Sequence, residues 1–163
     1  MKSLLPLVAQ SDILTLATPV YVDGMTGPMK TFLDRLIPLL KGRVELRDDH
    51  TRHIVREDVK RGKVVLLSAS GFAELDNFDP LVAHVKAVTR NLGREYVGEI
   101  LIPGGWFLRY SKAMDEVTGM VKSVGVKLVE KGRIPDSLSL KIHALVPRDE
   151  VVDALNAFYG KFE

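Results

Sequence analysis

The segment from Ser11 to Arg35 constrains the fold of this chain more than any other stretch. Residues 12–17 form an apolar run that is typical of a buried β-strand. A short loop with two glycines follows, and a helix is predicted from Pro28 because apolar residues then recur at helical spacing. A strand, a loop and a helix in this order form the ligand-facing edge of an open α/β sheet, since ligands of such sheets lie beyond the carboxyl ends of the strands.

Three strands separated by helices are predicted along the chain, at residues 12–17, 63–68 and 95–102. Right-handed crossovers then give a parallel sheet with helices on both faces. The predicted fold class is therefore α/β, a three-layer sandwich with a parallel sheet. The predicted helices cover residues 4–10, 28–40, 79–92, the stretch between a cap at Ser111 and Gly132, and 150–159.

The composition is that of a single globular domain over residues 1–163, with 46% hydrophobic and 27% charged residues. A net charge of +2 is too small to indicate a nucleic-acid partner. The absence of cysteine excludes disulfides, thiolate nucleophiles and Cys-ligated metals. No apolar run reaches the roughly 18 residues of a membrane span, so we expect no membrane association and a cytoplasmic location.

Residues 41–62 are polar and charged, and we interpret them as a charged arm or hairpin insertion. His50 and His53 lie in this arm without a third ligand nearby, so a solvated segment is favoured over a metal site. The arginines of the arm are compatible with a dinucleotide phosphate, with carboxylates of a partner, or with a solvent-facing surface. They are Arg43, Arg47, Arg52 and Arg56.

The tetrapeptide Thr18-Pro19-Val20-Tyr21, followed closely by the string GMTGPMKTFLDR, resembles the flavin-binding loop of the flavodoxin-like NAD(P)H-dependent FMN reductases and of the related iron–sulfur flavoproteins. The resemblance extends more loosely to most of the chain. It implies a flavodoxin-like fold, FMN as cofactor, NAD(P)H as electron donor and an oxidoreductase activity through the flavin. Since the cofactor carries that chemistry, no side chain is assigned as a catalytic acid or base.

The resemblance also assigns the cofactor-binding residues. The tetrapeptide would run along the flavin ring, while Met25 and Thr26 would approach the ring or a neighbouring subunit. A second loop, after the strand at 63–68, would cover the ring. The nine assigned residues are Thr18, Pro19, Val20, Tyr21, Met25, Thr26, Ser70, Gly71 and Phe72.

Simpler interpretations of these residues stay open at this stage. The tetrapeptide is also compatible with an ordinary strand end, and Thr26 or Gly27 with a helix cap. Lys30 and Asp34 lie four residues apart and are interpreted mainly as an ion pair on one helix face. Ser70 and Gly71 are compatible with a polar transition from strand to loop.

The chain departs from the family pattern at its beginning. Family members begin with a strand and a loop rich in Ser, Thr and Gly that holds the FMN phosphate, whereas the first strand here corresponds to the family's third. We therefore expect an N-terminally truncated sheet and a weakened grip on FMN, because each lost hydrogen bond to a charged group removes about 1.5–3 kcal/mol.

The same departure predicts that residues 12–17 form an apolar strand at the edge of the sheet. Such an edge favours pairing with another chain, and we expect two copies to meet along or near it in a dimer or tetramer. The alternative to an enzyme is a non-catalytic flavodoxin-like module that forms an oligomer or binds a partner.

Overall fold

The computed structural model describes residues 1–162. Helices and strands alternate along most of the chain, and the pattern is interrupted by one hairpin between the first two strands of the main sheet. Two short 3₁₀ turns lie at Ile37–Leu39 and Asp76–Phe78. The order of elements is α1 (Leu4–Gln10), β1 (Ile13–Ala17), α2 (Gly27–Asp34), β2 (Leu40–Arg47), β3 (His50–Val55), β4 (Lys63–Ala69), α3 (Asp79–Asn91), β5 (Glu95–Ile102), α4 (Gly105–Leu108), α5 (Ala113–Lys131), α6 (Ser137–His143) and α7 (Arg148–Tyr159).

The main sheet has three parallel strands in the order β1-β4-β5. Ile13 of β1 pairs with Lys63 of β4, and Lys63 pairs in turn with Glu95 of β5. The central strand β4 is apolar on both faces, because Val64, Val65 and Leu66 are all buried. This pattern is typical of a parallel strand covered on both sides.

Two hydrophobic cores lie on the two faces of the sheet. On one face, Leu16, Leu66 and Phe78 pack beneath α1, α2 and α3. On the other face, Val65 packs with Val117 and other residues of α5, α6 and α7. The predicted three-layer α/β architecture is confirmed.

The predicted helix over residues 28–40 is wrong in its second half. Helix α2 ends at Asp34, a 3₁₀ turn follows, and Leu40 already begins β2. The reason is Pro38, which has no N–H to donate and whose ring would collide with the carbonyl of Asp34 in a continuous helix. The prediction followed the helical spacing of the apolar residues and gave too little weight to this proline.

Two short helices, α4 and α6, were not predicted. Residues 105–108 and 137–143 are shorter than the window over which helical periodicity is recognisable. Helix α5 starts at Ala113, one residue later than a cap at Ser111 would place it. The Ser111 hydroxyl nevertheless accepts a hydrogen bond from the Ala113 N–H at 2.9 Å.

The charged segment forms an antiparallel hairpin, β2–β3, whose tip is fastened to the carboxyl end of α3. The Arg47 guanidinium donates to the carbonyls of Arg90 and Asn91 at 3.1 and 3.2 Å. The Arg52 guanidinium donates to Asn91 Oδ1 at 2.5 Å. Cations at a helix carboxyl end are stabilised by the helix dipole. Arg47 and Arg52 are therefore bonded to α3, and Arg56 pairs with Asp58, so three of the four arginines of this segment have partners within the chain.

The two edges of the main sheet differ. At the β5 edge, the Ile134 N–H donates to the Val97 carbonyl at 2.8 Å, and the Ser139 hydroxyl accepts from the Leu101 N–H at 3.4 Å. At the β1 edge, Thr15 and Ala17 are exposed. Because alternate residues of a parallel strand bond to opposite sides, their backbone groups point away from β4. The expected exposed edge strand is confirmed.

Candidate functional site

The three parallel strands end at the same edge of the sheet, at Ala17, Ala69 and Ile102. The residues assigned to the cofactor follow the first two strands. Val20 continues the pairing beyond β1, since its N–H donates to the Ala69 carbonyl at 2.9 Å. The loops after β1 and β4 therefore lie side by side at the position where ligands of open α/β sheets bind.

Thr18 holds the first loop to the start of α2. Its side chain is buried, and its hydroxyl accepts a hydrogen bond from the Thr26 N–H at 3.1 Å. The Thr26 hydroxyl in turn accepts from the Met29 N–H at 3.4 Å and caps α2. The hydroxyls of both threonines are thus engaged in positioning the loop before any ligand binds.

The tip of the first loop is a tight two-residue turn between Tyr21 and Gly24. Tyr21 N–H donates to the Gly24 carbonyl at 2.9 Å, and Gly24 N–H donates back at 3.2 Å. The central residues Val22 and Asp23 have φ of 49° and 58°, as a type I′ turn requires. A β-branched residue at positive φ is strained, and Val22 is also 99% exposed.

The second loop is fastened to the third. Ser70 donates its N–H to the Ile102 carbonyl at 3.1 Å and accepts from the Gly105 N–H at 2.8 Å. The Phe72 carbonyl accepts from the Gly104 N–H at 2.7 Å, and the Ser70 hydroxyl accepts from the Phe72 N–H at 3.2 Å. The backbone of Ser70–Phe72 is therefore fixed by four hydrogen bonds.

These fixed loops present an open surface. Tyr21 is 66% and Phe72 is 62% exposed, and Pro19 and Gly71 are exposed between them. A Cβ added at Gly71 would meet no atom within 4 Å. The chain thus offers flat rings and unobstructed backbone at the strand ends, which is the kind of surface that a planar ligand requires.

Two polar groups near the strand ends have no hydrogen-bond partner in the described part of the chain. The Ser68 hydroxyl is buried and has no hydrogen-bond partner among residues 1–162; the alternation along β4 places it on the same face as Val64 and Leu66, which pack beneath α1, α2 and α3. The Gly71 N–H makes no hydrogen bond within the described residues. Gly71 is exposed, so its unused N–H is a donor that a carbonyl or ring-nitrogen atom of a ligand would satisfy, whereas the Ser68 hydroxyl is closed off from the surface.

The remaining assigned residues contribute mainly to packing. Val20 and Met25 are half-buried and pack against the core beneath α1, α2 and α3. Lys30 and Asp34 form the expected ion pair on α2, at 2.6 Å. The structure therefore brings Thr18, Pro19, Val20 and Tyr21 together with the second loop, and turns part of Met25 inward.

Shifted pKa values lie away from this surface. At the opposite edge, the Lys60 ammonium lowers the pKa of Asp12, and in and after the hairpin Lys41 and Arg56 lower those of Glu57 and Asp58. Burial, with a hydrogen bond to Glu99, raises the pKa of Tyr96. The nine assigned residues include no carboxylate, histidine or lysine, so any electron-transfer chemistry here comes from a cofactor.

Neither a metal-binding cluster nor a membrane-spanning helix occurs in residues 1–162. Within residues 1–162 there is no group of three or more His, Asp or Glu side chains placed to hold a metal ion. His50 and His53 lie on β3. Over this range, no helix is long and apolar enough to cross a membrane.

The fold and the surface at the strand ends define a flavodoxin-like α/β protein with a candidate cofactor site after β1 and β4. The family model of the NADPH-dependent FMN reductases matches residues 1–74. That range includes both loops and all nine assigned residues. The resemblance read from the sequence is thereby confirmed over those residues, and the matched family consists of flavin-dependent NAD(P)H oxidoreductases.

Solved structures agree with the fold. A Trp repressor binding protein from Bacillus subtilis is 25% identical, with 66% of this chain and 67% of that chain covered and a TM-score of 0.51. An NADPH-quinone reductase from P. pentosaceus is 13% identical, with 71% and 67% covered and a TM-score of 0.53; this second likeness concerns the fold alone. No curated protein matches the chain.

Proposed function

We propose that the chain is a flavin-dependent NAD(P)H oxidoreductase whose cofactor lies on the surface between Tyr21 and Phe72. The observation that carries the proposal is the coincidence of two facts. The family match over residues 1–74 contains both loops, and these loops are fixed through their backbones while their rings and Gly71 stay open.

In this proposal each residue has a defined task. Thr18 and Ser70 hold the loops, Pro19 and Gly71 provide close backbone approach, and the Tyr21 ring flanks the flavin. Bound FMN would accept a hydride from NAD(P)H and pass electrons to an acceptor. The protein would supply binding, orientation and the electrostatic surroundings of the ring.

The described residues fit the ring better than the phosphate. The chain has no GxGxxG or GxxxxGK[ST] pattern, and at this edge the exposed Gly27 N–H at the start of α2 is the main candidate for an anion. We infer that contacts with the flavin ring supply most of the binding free energy and that the affinity for FMN is low. FMN and riboflavin, which share the ring, should then bind with affinities that agree within about tenfold, or 1.4 kcal/mol.

The experiment is a titration of the 163-residue chain with FMN and with riboflavin, followed by flavin fluorescence and by the visible spectrum. Binding of both flavins, with a perturbed ring absorption band, supports the proposal. The Gly71→Val variant should weaken binding of both, because its side chain would occupy the space in front of the loop.

The control is Gly119→Val on α5, where an added Cβ likewise meets no atom within 4 Å and no assigned residue is near in sequence. This variant should bind flavin like the unmodified chain. Equal binding by Gly71→Val and the unmodified chain would contradict the proposed site, and absence of binding by the unmodified chain would contradict the proposed function.

A second candidate function, a module that forms a homo-oligomer, is favoured by the β1 edge. The backbone N–H and C=O groups of Ile13, Thr15 and Ala17 point away from β4. Thr15 and Ala17 are exposed, and Val126 and Val129 on α5 are exposed as well. We propose that a second copy pairs there. Thr15→Pro should reduce the sedimenting mass to that of a monomer while leaving β1–β4 pairing intact, because the lost N–H faces outward.

The matched control for that test is Leu16→Pro, which removes an N–H that faces β4 and should unfold the chain. A folded Thr15→Pro variant that keeps the same oligomeric mass as the unmodified chain would contradict pairing at this edge. A monomeric unmodified chain would do the same.

A further inference from the structure

The hairpin β2–β3 and the helices α2 and α3 enclose a cavity of about 430 Å³. The cavity shares no lining residue with the nine assigned to the flavin. Its volume is within the range of about 300–1,000 Å³ that is usual for small-molecule sites. It therefore needs an explanation of its own.

The cavity exists because the hairpin is fastened at both ends. At its base, Leu40 pairs with Val55, and the Arg56 N–H donates to the Leu39 carbonyl at 3.1 Å. At its tip, Arg47 and Arg52 hold the end of α3. Between base and tip the register shifts from Leu40 to Val44, and such a bulge bends a strand. The hairpin thus arches over the helices.

The floor of the cavity is apolar. Leu33 and Leu36 of the α2 region and Leu92 at the end of α3 are buried there, and Val88 is half-buried. A ligand of this cavity must therefore carry an apolar body, because burying apolar surface contributes about 25 cal/mol per Å².

The rim of the cavity is polar and carries more positive than negative charge. Lys30 and Asp34 neutralise each other, which leaves the Arg52 guanidinium as a net charge on the lining. The Arg52 Nε is buried and has no hydrogen-bond partner in the described part of the chain. His53 and His84 add two imidazoles from opposite walls. Charge complementarity therefore favours an anion.

We propose that this cavity binds a small organic acid with an apolar, ring-sized body and one carboxylate, held at the carboxylate by Arg52. The hairpin acts as the lid of the site, and α2 and α3 form its floor. The site is separate from the flavin surface, so it is a second ligand site of the protein.

The test uses biphenyl-4-carboxylate as probe and biphenyl-4-carboxamide as its neutral counterpart, with binding followed by saturation-transfer NMR. The unmodified chain should bind the carboxylate about tenfold more tightly than the amide. Val88→Phe should weaken binding of both by at least about tenfold, because the larger ring fills the cavity. Val152→Phe adds the same ring on α7, where Val152 is exposed and does not line the cavity, and should change neither.

Arg52→Gln should abolish the preference for the carboxylate. Arg47→Gln is its control, because Arg47 holds the same end of α3 but does not line the cavity. If circular dichroism shows that Val88→Phe is unfolded, His84→Phe provides the second filled variant. Equal affinity for carboxylate and amide, or unchanged binding by a folded filled variant, would overturn the proposal.

Discussion

The loops after β4 and after β5 lie against each other, yet their glycines differ. Gly71 is exposed, and an added Cβ would meet no atom within 4 Å. Gly104 is buried at a φ of 58°, and an added Cβ would lie 2.6 Å from Val146 Cγ1. The packing of the chain requires the second glycine and not the first. The space in front of Gly71 is therefore open to a ligand, whereas the space beside Gly104 is filled by the side chain of Val146.

Gly104→Ala should have the largest effect on stability. Positive φ costs a non-glycine residue about 1–3 kcal/mol, and the collision with Val146 adds an overpacking cost of about 1–3 kcal/mol. We expect the free energy of unfolding to fall by about 2–6 kcal/mol in urea denaturation. Gly71→Ala should change it by less than about 1 kcal/mol. If Gly104→Ala and Gly71→Ala lowered the free energy of unfolding equally, the proposed difference between the packed Gly104 and the open Gly71 would be contradicted.

Thr18→Val should have the next largest effect, because it tests how the first loop is held. The Thr26 N–H would lose its acceptor, at a cost of about 1–2 kcal/mol. Thr15→Val, at an exposed position of β1, is the control and should stay within about 0.5 kcal/mol. If Thr18→Val were as stable as this control in urea denaturation, the loop would not depend on the threonine.

Ser68 and Ser70 allow a comparison within one strand and its loop. The Ser70 hydroxyl accepts from the Phe72 N–H, so Ser70→Ala should lower the free energy of unfolding by about 1 kcal/mol. The Ser68 hydroxyl is buried without a partner, so Ser68→Ala should raise it by up to about 1 kcal/mol in flavin-free protein. Thermal unfolding followed by circular dichroism measures both free energies. If Ser68→Ala also lowered the free energy of unfolding, the claim that the Ser68 hydroxyl has no hydrogen-bond partner would be contradicted.

Tyr21→Leu and Phe72→Leu should have the smallest effect on stability, within about 0.5 kcal/mol, because both rings are exposed. Their effect should fall on the ligand. Loss of an aromatic contact removes about 0.5–1.5 kcal/mol, so flavin affinity should fall by a factor of about 2–10. Tyr110→Leu, at another exposed ring, is the control, and fluorescence titration is the measurement. If only Tyr110→Leu lost affinity for flavin, the flavin would bind away from the surface between Tyr21 and Phe72.

The parallel sheet was predictable from the sequence because β1 and β4 are largely apolar runs of strand length, each followed by a loop that contains glycine. The bounds 95–102 agree with β5, and α3 and α7 end within two residues of their predictions. Periodicity failed where one residue outweighed a pattern, as Pro38 did at the end of α2. It also failed for α4 and α6, which are too short to show a helical repeat.

The position of the loops at the candidate site was predictable from the sequence, but their backbone geometry was not. The capping role of Thr26 follows from its residue type and position. The turn at Val22-Asp23 does not, because type I′ turns favour Asn and Gly. The closed hairpin depends on contacts between Arg47 or Arg52 and α3, more than 35 residues away in sequence, which local patterns do not record.

The most direct test of the account is anaerobic reduction of flavin by NADPH in the presence of the chain, followed by loss of the flavin absorption band in a stopped-flow spectrometer. The account predicts that FMN is reduced much faster with the protein than free in solution, and that Gly71→Val removes the acceleration while Gly119→Val keeps it. Reduction at the rate of free FMN, with flavin shown to be bound, would contradict an oxidoreductase function.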